Sequence, residues 1–300
     1  MVGSLNADLV VRVERFPSPG ETISGGDLLT IPGGKGANQA VAAARLGAAT
    51  AMLGRVGNDR LGEMLLENLQ RSSVDLSRVR VSPGASGTAV IIVDERGQNS
   101  IVLSPGANGL LTAADVRSLS PGLGLGGAKF VLLQLEIPLE TVIIAARTAR
   151  QDGMQVILNP APARALPLEL LAAIDYIVPN ETELSLLTGL PVDDLPSAGL
   201  AARALLTKGD FKVVVTLGAK GALYVDAGQS FHVPAFPVKV LDTTAAGDAF
   251  IAGLAASLAR ERPLRESIRF ACACGALAVT KFGAQPSLPF AADVQKFLAQ

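Results

Sequence analysis

The sequence predicts an α/β fold, in which a doubly wound and mostly parallel sheet is flanked by helices and carries a small β-sheet lid. Three observations lead to this prediction. Short β-rich runs alternate with helical patterns from residue 128 onward, the last third is rich in apolar helical sequence, and two segments break the alternation. We expect one domain over residues 1–300, with the lid formed by insertions at about 9–31 and 87–104.

The alternation of strands and helices is clearest in the middle of the chain. The apolar runs cover residues 129–135, 155–158, 176–178 and 212–217. Helical patterns lie between them at residues 139–150, about 181–187 and 198–208. This order is typical of βαβ units, which place their strands in a parallel sheet.

The two segments that break the alternation predict a separate sheet. In the second, the apolar runs at 88–94 and 100–103 flank Glu95-Arg96-Gly97-Gln98, a pattern typical of a β-hairpin. Antiparallel strands inserted into a parallel core require a sheet of their own. Such a sheet, built from both segments, is placed to close over a binding site.

The last third of the chain is predicted to be helical. Residues 247–259 and 264–280 are rich in alanine, strongly apolar and long enough to form helices against the sheet.

Composition and charge favour a small-molecule partner. The 300 residues are 49% hydrophobic and 18% charged, which argues against a disordered chain. With 26 basic and 27 acidic residues, the net charge of −1 offers no electrostatic footprint for nucleic acid or anionic lipid. No uncharged apolar run of membrane-spanning length is present.

The cysteines and the N-terminus favour a cytoplasmic protein. Cys272 and Cys274 are two residues apart in a predicted helix, where they cannot easily be bridged, as expected in a reducing compartment. Charged residues from Asp8 onward interrupt the position of a signal-peptide core. Only Met1 and Val2 precede Gly3, which is short for a first strand and leaves open a start upstream of Met1.

A run of small residues leads into the helix predicted from residue 247. The segment Leu241-Asp242-Thr243-Thr244-Ala245-Ala246-Gly247-Asp248 would leave backbone N–H groups at the helix start open to an anion. Asp248 in the first turn could accept a proton from a hydroxyl nucleophile, while those N–H groups stabilise a transferring phosphoryl group. A plain interaction with the helix dipole also explains this aspartate, so the segment alone leaves both roles open.

Glycines also precede the amphipathic stretch from Gln39 to Leu46. The segment Gly33-Gly34-Lys35-Gly36-Ala37-Asn38 is a glycine loop entering a helix, where backbone can approach a polyhydroxylated ligand and Lys35 and Asn38 can bond to its hydroxyls. Because Gly36 rather than Ser or Thr follows Lys35, it is not a P-loop. The alternative is an ordinary turn with a solvated lysine.

Polar residues at the ends of other apolar runs are further candidates, because ligands of open α/β sheets bind at the carboxyl ends of the strands. Asn180 and Glu183 have capping-box spacing, and this explanation stands beside a role for Glu183 in ordering Mg²⁺. The segment 216–221 suits either a hairpin or a nucleotide-contacting loop. Glu136 is either a sugar ligand or a solvated strand end.

Two polar residues near the N-terminus and one glycine-rich segment also stand out in the sequence. Asn6 and Asp8 interrupt an apolar run and are candidate functional residues for that reason. The segment Gly122-Leu-Gly-Leu-Gly-Gly127 matches G-x-G-x-x-G but precedes a predicted strand instead of following one, so we interpret it as a loop without a dinucleotide-binding role.

Taken together, these segments resemble the ribokinase-like family of carbohydrate kinases, in the family's order and over nearly the whole chain. The segments that resemble its N-terminal sugar-binding signature are Gly3-Ser4-Leu5-Asn6-Ala7-Asp8, Phe16-Pro17-Ser18-Pro19-Gly20-Glu21-Thr22 and Gly33-Gly34-Lys35-Gly36-Ala37-Asn38-Gln39-Ala40. Those that resemble its later signatures are Asn159-Pro160-Ala161-Pro162-Ala163, Pro179-Asn180-Glu181-Thr182-Glu183 and Asp242-Thr243-Thr244-Ala245-Ala246-Gly247-Asp248.

The resemblance implies a role for each matching residue. Asp248 would be the catalytic base, with Ala246 and Gly247 as the anion hole. The sugar would be bound by Asn6, Ala7, Asp8, Gly34, Lys35, Gly36, Ala37, Asn38, Glu136 and Asp248. The ATP would be bound by Asn180, Thr216, Leu217, Gly218, Ala219, Lys220, Gly221 and Gly247.

The resemblance also implies two cations. Glu183 would help to order Mg²⁺ through water. A potassium ion beside the anion hole would fall on Asp242, Thr244, Ala278, Lys281, Gly283 and Ser287, several of them through backbone carbonyls. Cys272 stands where some members of the family place a histidine beside the adenine.

The activity implied by the resemblance is transfer of the γ-phosphate of ATP to the O5 hydroxyl of D-ribose. Ala245 replaces the first glycine of the wider family's Gly-Ala-Gly-Asp, a variant that favours ribose. The alternatives are a kinase for another sugar or a nucleoside, and a non-catalytic sugar-binding sensor. A dinucleotide oxidoreductase would depend on the glycine loop at 122–127 alone.

The predicted lid also bears on assembly. Val90, Ile92 and their neighbours give it an apolar strand face that a monomer would expose. We therefore expect a homodimer that pairs two lids.

Overall fold

The computed structural model describes residues 1–117 and 127–300. In these residues the strands are β1 (Asn6–Arg12), β2 (Leu29–Gly33), β3 (Ala51–Gly57), β4 (Asp75–Ser82), β5 (Gly87–Val93), β6 (Asn99–Ser104), β7 (Phe130–Leu133), β8 (Gln155–Leu158), β9 (Tyr176–Ile177), β10 (Lys212–Thr216), β11 (Ala222–Val225) and β12 (Ser230–Val233). The α-helices are α1 (Lys35–Arg45), α2 (Arg60–Arg71), α3 (Ala113–Arg117), α4 (Leu139–Gln151), α5 (Leu168–Leu171), α6 (Glu181–Thr188), α7 (Leu195–Leu206), α8 (Ala246–Ala259), α9 (Leu264–Ala278), α10 (Ala284–Ser287) and α11 (Ala291–Leu298).

The central sheet has the strand order β12-β11-β10-β9-β8-β7. Strands β7 to β10 are parallel neighbours, and β11 and β12 extend the sheet in antiparallel pairing. Helices lie between these parallel strands in the chain, as crossover connections between parallel strands require. The predicted fold class, a mostly parallel α/β sheet flanked by helices, is confirmed.

Alternating side chains of the central strands pack into two different cores. Along β7, Val131 and Leu133 contact the cluster beneath α4, α5 and α7, whereas Leu132 contacts the cluster beneath α8 and α9. Along β10, Val213 and Val215 belong to the first of these clusters, whereas Val214 belongs to the second. Because successive side chains of a strand point to opposite faces, a strand covered on both sides is apolar throughout. This explains the continuous apolar runs of the sequence.

The short N-terminal run forms no regular strand. Val2 makes single parallel bridges to Leu53 of β3 and to Leu133 of β7, which links the β3–β4 pair to the central sheet. The first regular strand, β1, begins at Asn6, three residues before the predicted lid segment. Asn6 and Asp8 therefore lie on β1 itself.

A second sheet of four strands, β2-β1-β5-β6, is built from both of the segments that interrupt the βα alternation. Strands β1 and β5 are parallel, and the outer strands pair with them in antiparallel fashion. We call this the lid sheet. Asp8, Ala89 and Leu103 are paired across it and so share one face, while Val90 and Val102 share the other.

Several other predictions have a definite outcome. The two helices predicted against the sheet in the C-terminal part are present as α8 and α9, and they also pack against each other. Most of the glycine segment 122–127 lies outside the described residues. In the described part of the chain, no helix is both long and apolar enough to cross a membrane.

Candidate active site

The polar candidates meet at the carboxyl ends of β7 to β10, as expected for an open α/β sheet. A cavity of about 180 Å³ lies at this edge. Its walls include residues from α1, from the strand ends and from the start of α8. They are Lys35, Asn159, Ala161, Val178, Asn180, Glu183, Thr216, Thr243, Ala245, Gly247, Asp248 and Ile251.

Helix α1 begins at Lys35, four residues earlier than the amphipathic pattern suggested. Gly34 precedes it with φ at +85°, and a Cβ there would lie 2.6 Å from the backbone nitrogen of Asn6. A Cβ on Gly36 would lie equally close to the backbone nitrogen of Ser4. The glycines therefore let the first turn of α1 contact the 3–6 segment directly. This contact brings Lys35 to the cavity and Asn38 to Asp248.

Asp248 lies in the first turn of α8 and is almost completely buried. The side-chain amide of Asn38 donates to Oδ2 at 2.9 Å, and that of Gln39 donates to Oδ1 at 3.0 Å. Burial raises the pKa of Asp248, whereas Lys35 and the two amides oppose this effect. The charged form is thus supported by one cation and two donors.

Ala245, the residue before α8, adopts the left-handed conformation at φ +60°. This places the N–H groups of Ala246 and Gly247 in the first turn, beside Asp248. A Cβ on Gly247 would meet no atom within 4 Å, and Gly247 lines the cavity, so there is room for a ligand above this backbone. The N–H of Ala246 donates to the carbonyl of Thr243 at 3.3 Å in this structure, and the anion hole formed by Ala246 and Gly247 stays a prediction.

Glu136 is hydrogen-bonded to several of the residues on the side of the site that is predicted to bind the sugar. One of its oxygens, Oε2, accepts hydrogen bonds from the Ser4 hydroxyl, the Asn6 amide and the backbone N–H of Lys35. Asn108 donates to Asn6 Oδ1 at 2.7 Å and pairs with both backbone groups of Leu5. Asn108 thereby fixes the 5–6 segment from which Asn6 extends.

Asp8 lies on the same side and is buried among charges. Burial raises its pKa to about 7, with a further contribution from Glu136 and Asp248. Lys35 is surrounded by these carboxylates. Burial opposes its charge, but Asp248 and Glu136 outweigh that effect and raise its pKa. Strongly interacting charged groups with shifted pKa values are typical of functional sites.

The opposite side of the cavity contains the residues predicted to bind ATP and Mg²⁺. Asn180 and Glu183 form a complete capping box at the start of α6, with hydrogen bonds of 2.7 and 2.9 Å. Burial raises the pKa of Glu183, which also interacts electrostatically with Lys35. Thr216 ends β10, and its N–H donates to the carbonyl of Pro179. Asn180 and Glu183 therefore cap α6 and also line the cavity.

The segment after Thr216 is a tight connection between β10 and β11. Gly218–Lys220 form one 3₁₀ turn, and the predicted hairpin is present because β10 and β11 are antiparallel. The side chain of Leu217 is buried in the core, and the ammonium of Lys220 donates to the carbonyl of Asp193. A nucleotide could therefore contact the backbone of this turn but not the side chain of Leu217.

The residues predicted to hold potassium lie on neighbouring segments. Asp242 accepts hydrogen bonds from the N–H and hydroxyl of Thr244 and from the N–H of Gly283. The N–H of Lys281 donates to the Ala278 carbonyl. Burial opposes the charge of Asp242, but the hydrogen bonds from Thr244 and Gly283 prevail and lower its pKa. The loop before α8 is therefore fastened to the segment that follows α9.

Sequence reasoning assigned no role to several polar residues of the site. Gln39, Gln134 and Asn159 are buried, and Gln39 is hydrogen-bonded to both of the others and to Asp248. The position of Gln134 and Asn159 directly after β7 and β8 was a usable signal. Cys272 is buried in the cluster between the central sheet and α9, where burial raises the pKa of its thiol to about 12.

The arrangement can perform proton abstraction next to an anion site. A buried carboxylate with two amide donors lies beside helix-start N–H groups, and polar groups suited to hydroxyls are on one side. These are the parts needed for phosphoryl transfer to an alcohol, because that reaction depends on positioning and on stabilising charge.

Comparisons with known proteins agree with this chemistry. The chain is 44% identical over 299 residues to the ribokinase of Haemophilus influenzae, covering 99% of this chain and 97% of that protein. It is 38% identical over 301 residues to the deoxyribokinase of Salmonella typhi, covering 100% and 98%. Among solved structures, it is similar to the ribokinase of Arabidopsis thaliana complexed with ribose and ATP, with a TM-score of 0.90 and 38% identity over 100% of this chain and 97% of that one.

A family model described as pfkB family carbohydrate kinase matches residues 1–291. On this match and on the identities above, this chain belongs to the pfkB family of carbohydrate kinases.

Proposed function

We propose that this enzyme transfers the γ-phosphoryl group of ATP to the O5 hydroxyl of D-ribose, with Asp248 as the general base. The observation that carries the proposal is the position of Asp248, buried beside the cavity and held by two amide donors. The similarity to ribokinases along the whole chain supports the choice of ribose.

Asp248 combines the two requirements of a general base in this reaction. Lys35, Asn38 and Gln39 favour its ionised form, so it can accept the proton of a sugar hydroxyl. The N–H groups of Ala246 and Gly247, in the same helical turn, would meet the negative charge that develops on the transferring group. Proton removal and charge stabilisation thus occur within one turn of α8.

Sugar recognition is assigned to the polar groups around Glu136. The oxygen Oδ1 of Asn38 is buried without a hydrogen-bond partner, which is costly unless a ligand supplies a donor. A sugar hydroxyl is such a donor. Asn6, Asp8, Lys35 and Glu136 would take the remaining hydroxyls, with the backbone of Gly34, Gly36, Ala37 and Ala7 alongside them.

Nucleotide binding is assigned to the opposite wall. Asn180 and Thr216 would contact the nucleotide from the ends of neighbouring strands, and the turn at 217–221 would contribute backbone groups. Lys35 lines the cavity between this wall and the Glu136 side. It is placed to interact with phosphate charge as well as with the sugar.

The donor groups present fit the two cations expected for this family. Carboxylate oxygens suit Mg²⁺, and Glu183 presents one at the cavity, so it would hold the ion through water. Potassium would be held by oxygens of Asp242 and Thr244 and of the segment with Ala278, Lys281, Gly283 and Ser287. When bound, the cations would neutralise phosphate charge and keep the anion-hole loop in place.

A second acceptor, 2-deoxyribose, has a specific observation in its favour. The deoxyribokinase of Salmonella typhi aligns over the whole chain at 38% identity. Within the same fold, the acceptor depends on which hydroxyls the pocket binds. Ribose is preferred here because more of the similar proteins are ribokinases.

We also propose that the enzyme acts in the cytoplasm as a homodimer. The free, buried cysteines are consistent with a reducing compartment. The lid sheet leaves Val90 and Val102 exposed by 43% and 66%, and a second copy of this sheet would cover them.

The proposal is tested by measuring ADP release across a panel of sugars and nucleosides, with and without K⁺. We expect the highest kcat/KM with D-ribose, formation of ribose 5-phosphate and a clear increase in rate with K⁺. A preference for 2-deoxyribose would change the acceptor but not the mechanism. Tight sugar binding without ADP release would favour a sensor instead.

A further inference from the structure

A chain of buried amide side chains follows the carboxyl edge of the central sheet and ends at Asp248. Gln134 lies just after β7, Asn159 just after β8, and Gln39 on the first turns of α1. Gln134 donates to Gln39 Oε1. Gln39 Nε2 donates to both Asn159 Oδ1 at 3.3 Å and Asp248 Oδ1 at 3.0 Å.

The direction of every hydrogen bond in this chain is fixed by its two ends. Asn159 Nδ2 donates to the backbone carbonyl of Val178, which can only accept. Asn159 must therefore turn its oxygen toward Gln39. At the other end, the ionised carboxylate of Asp248 also only accepts. Gln39 is left with one arrangement, in which its two N–H hydrogens are divided between Asn159 and Asp248.

Burial makes this arrangement rigid. Gln39 and Gln134 are completely buried, and Asn159 is nearly so. Turning the Gln39 amide over would place its oxygen against Asn159 Oδ1 and Asp248 Oδ1, which are both acceptors, and would leave buried polar atoms unpaired. Asn38, the other donor to Asp248, has no comparable anchor, since its own oxygen lacks a partner.

We propose that Gln39 is a positioning residue for the catalytic base: anchored through Asn159 to the backbone after β9, it holds the Asp248 carboxylate in one orientation. The inference rests on the proposed role of Asp248 as base. Asn38 can exchange its contacts when sugar binds, whereas Gln39 keeps Oδ1 in place throughout the reaction.

Asp248 interacts electrostatically with one lysine and three other carboxylates, so the amide of Gln39 has an electrostatic role as well. Lys35 favours its ionised form, while Glu136, Asp8 and Glu183 share the same field and oppose it. Without the Gln39 donor, only Lys35 and Asn38 would lower the pKa of Asp248, while burial and the three other carboxylates would still raise it. The base would then take up its proton at a higher pH than in the native enzyme.

The test compares Gln39→Met, which keeps the size of the side chain but removes its donor, with Gln39→Glu, which adds a charge. We expect kcat for ribose to fall by about 10- to 100-fold in Gln39→Met. The acidic limb of the kcat profile at saturating ribose should move up by about one pH unit, and further in Gln39→Glu. KM for ribose should change by less than about threefold.

Asn159→Leu provides an independent readout, because it removes the anchor and leaves Gln39 intact. It should move the acidic limb in the same direction by a smaller amount. If Gln39→Met does not fold, this variant alone decides. Thr141→Val is the matched control, since Thr141 is buried on α4 and its hydroxyl donates to Leu111 away from the cavity. It should lower the melting temperature without moving the profile.

The inference is overturned if the pH profiles of Gln39→Met and Asn159→Leu superimpose on that of the native enzyme, with only stability reduced as in Thr141→Val. That result would leave the proposed function intact. A native enzyme that phosphorylates no sugar, or an Asp248→Asn variant with native activity, would instead remove the proposed function itself.

Discussion

Asn38 Nδ2 lies 2.9 Å from Asp248 Oδ2, so the first turn of α1 is joined to the first turn of α8 across 210 positions of sequence. Asn38 belongs to the segment predicted to bind the sugar, and Asp248 to the helix start predicted to stabilise the transferring phosphate. One hydrogen bond therefore connects acceptor binding to the proposed base.

Replacing Asp248 by Asn should abolish most of the activity. The substitution keeps the shape of the side chain but removes its ability to accept a proton, which should lower kcat by about 10²- to 10⁴-fold. ADP release at saturating ribose measures the loss, and ribose binding measured by calorimetry serves as the control for an intact pocket. A kcat within about tenfold of the native value would rule out Asp248 as the base.

Ribose binding should release a proton near neutral pH. Asp8 has a pKa of about 7 in the free enzyme, so part of it is protonated at pH 6.5. Sugar hydroxyls that donate to its carboxylate would favour the charged form and expel that proton. Calorimetry in two buffers of different ionisation enthalpy measures the release, and Asp8→Asn should show none of this component. Identical apparent enthalpies in both buffers would contradict the prediction.

Asp8 should also make the free enzyme less stable at high pH. Its folded pKa is raised above the unfolded value of about 4, so folding favours the protonated form, and the associated stability is lost as pH rises toward 7. The free energy of unfolding of Asp8→Asn should therefore exceed that of the native enzyme by on the order of 2–4 kcal/mol at pH 8, and by little at pH 4. Urea unfolding at both pH values measures the difference. Equal differences at the two pH values would argue against a raised pKa.

Ala245→Gly should stabilise the fold. The left-handed conformation of Ala245 costs about 1–2 kcal/mol more for alanine than for glycine, and the greater freedom of glycine in the unfolded chain offsets about 0.4–1 kcal/mol of this cost. We expect a net gain of about 0.5–1 kcal/mol in denaturant unfolding. Ser73→Gly is the matched control, since Ser73 has the same φ of 60° and is not part of the site. A loss of stability in Ala245→Gly alone would indicate a contact specific to the alanine methyl group.

The exposed outer strand of the lid sheet gives a test of the homodimer. Val102→Lys should shift the enzyme from dimer to monomer in light scattering, because a charge would be buried where two lids pair. Leu200→Lys is the control, since Leu200 on α7 is 68% exposed and distant from the lid. A native enzyme that is monomeric at micromolar concentration would disprove the pairing.

Local sequence patterns were sufficient for the fold class and for the approximate bounds of β7 to β10. The apolar runs became β7, β8, β9 and β10 because a strand covered on both faces must be apolar along its length. The candidates found just past those runs, such as Glu136 and Asn180, lie at the site for the same reason. The beginning of α1 was misjudged, because Lys35 to Asn38 are helical but lack the amphipathic pattern.

By itself, the sequence determined the apolar runs that form β7 to β10, the small residues before α8 and the presence of a carboxylate in its first turn. The segment around Asp248 left a plain interaction with the helix dipole open, and the ordered set of matching segments implied the role of base. Only the tertiary structure decided that this carboxylate is buried and receives donors from Asn38 and Gln39, and that Gln134 and Asn159 support one of them. These partners are brought together by packing from α1, from the ends of β7 and β8 and from α8. Local sequence cannot encode which amide meets which acceptor when the two are 95 to 210 positions apart.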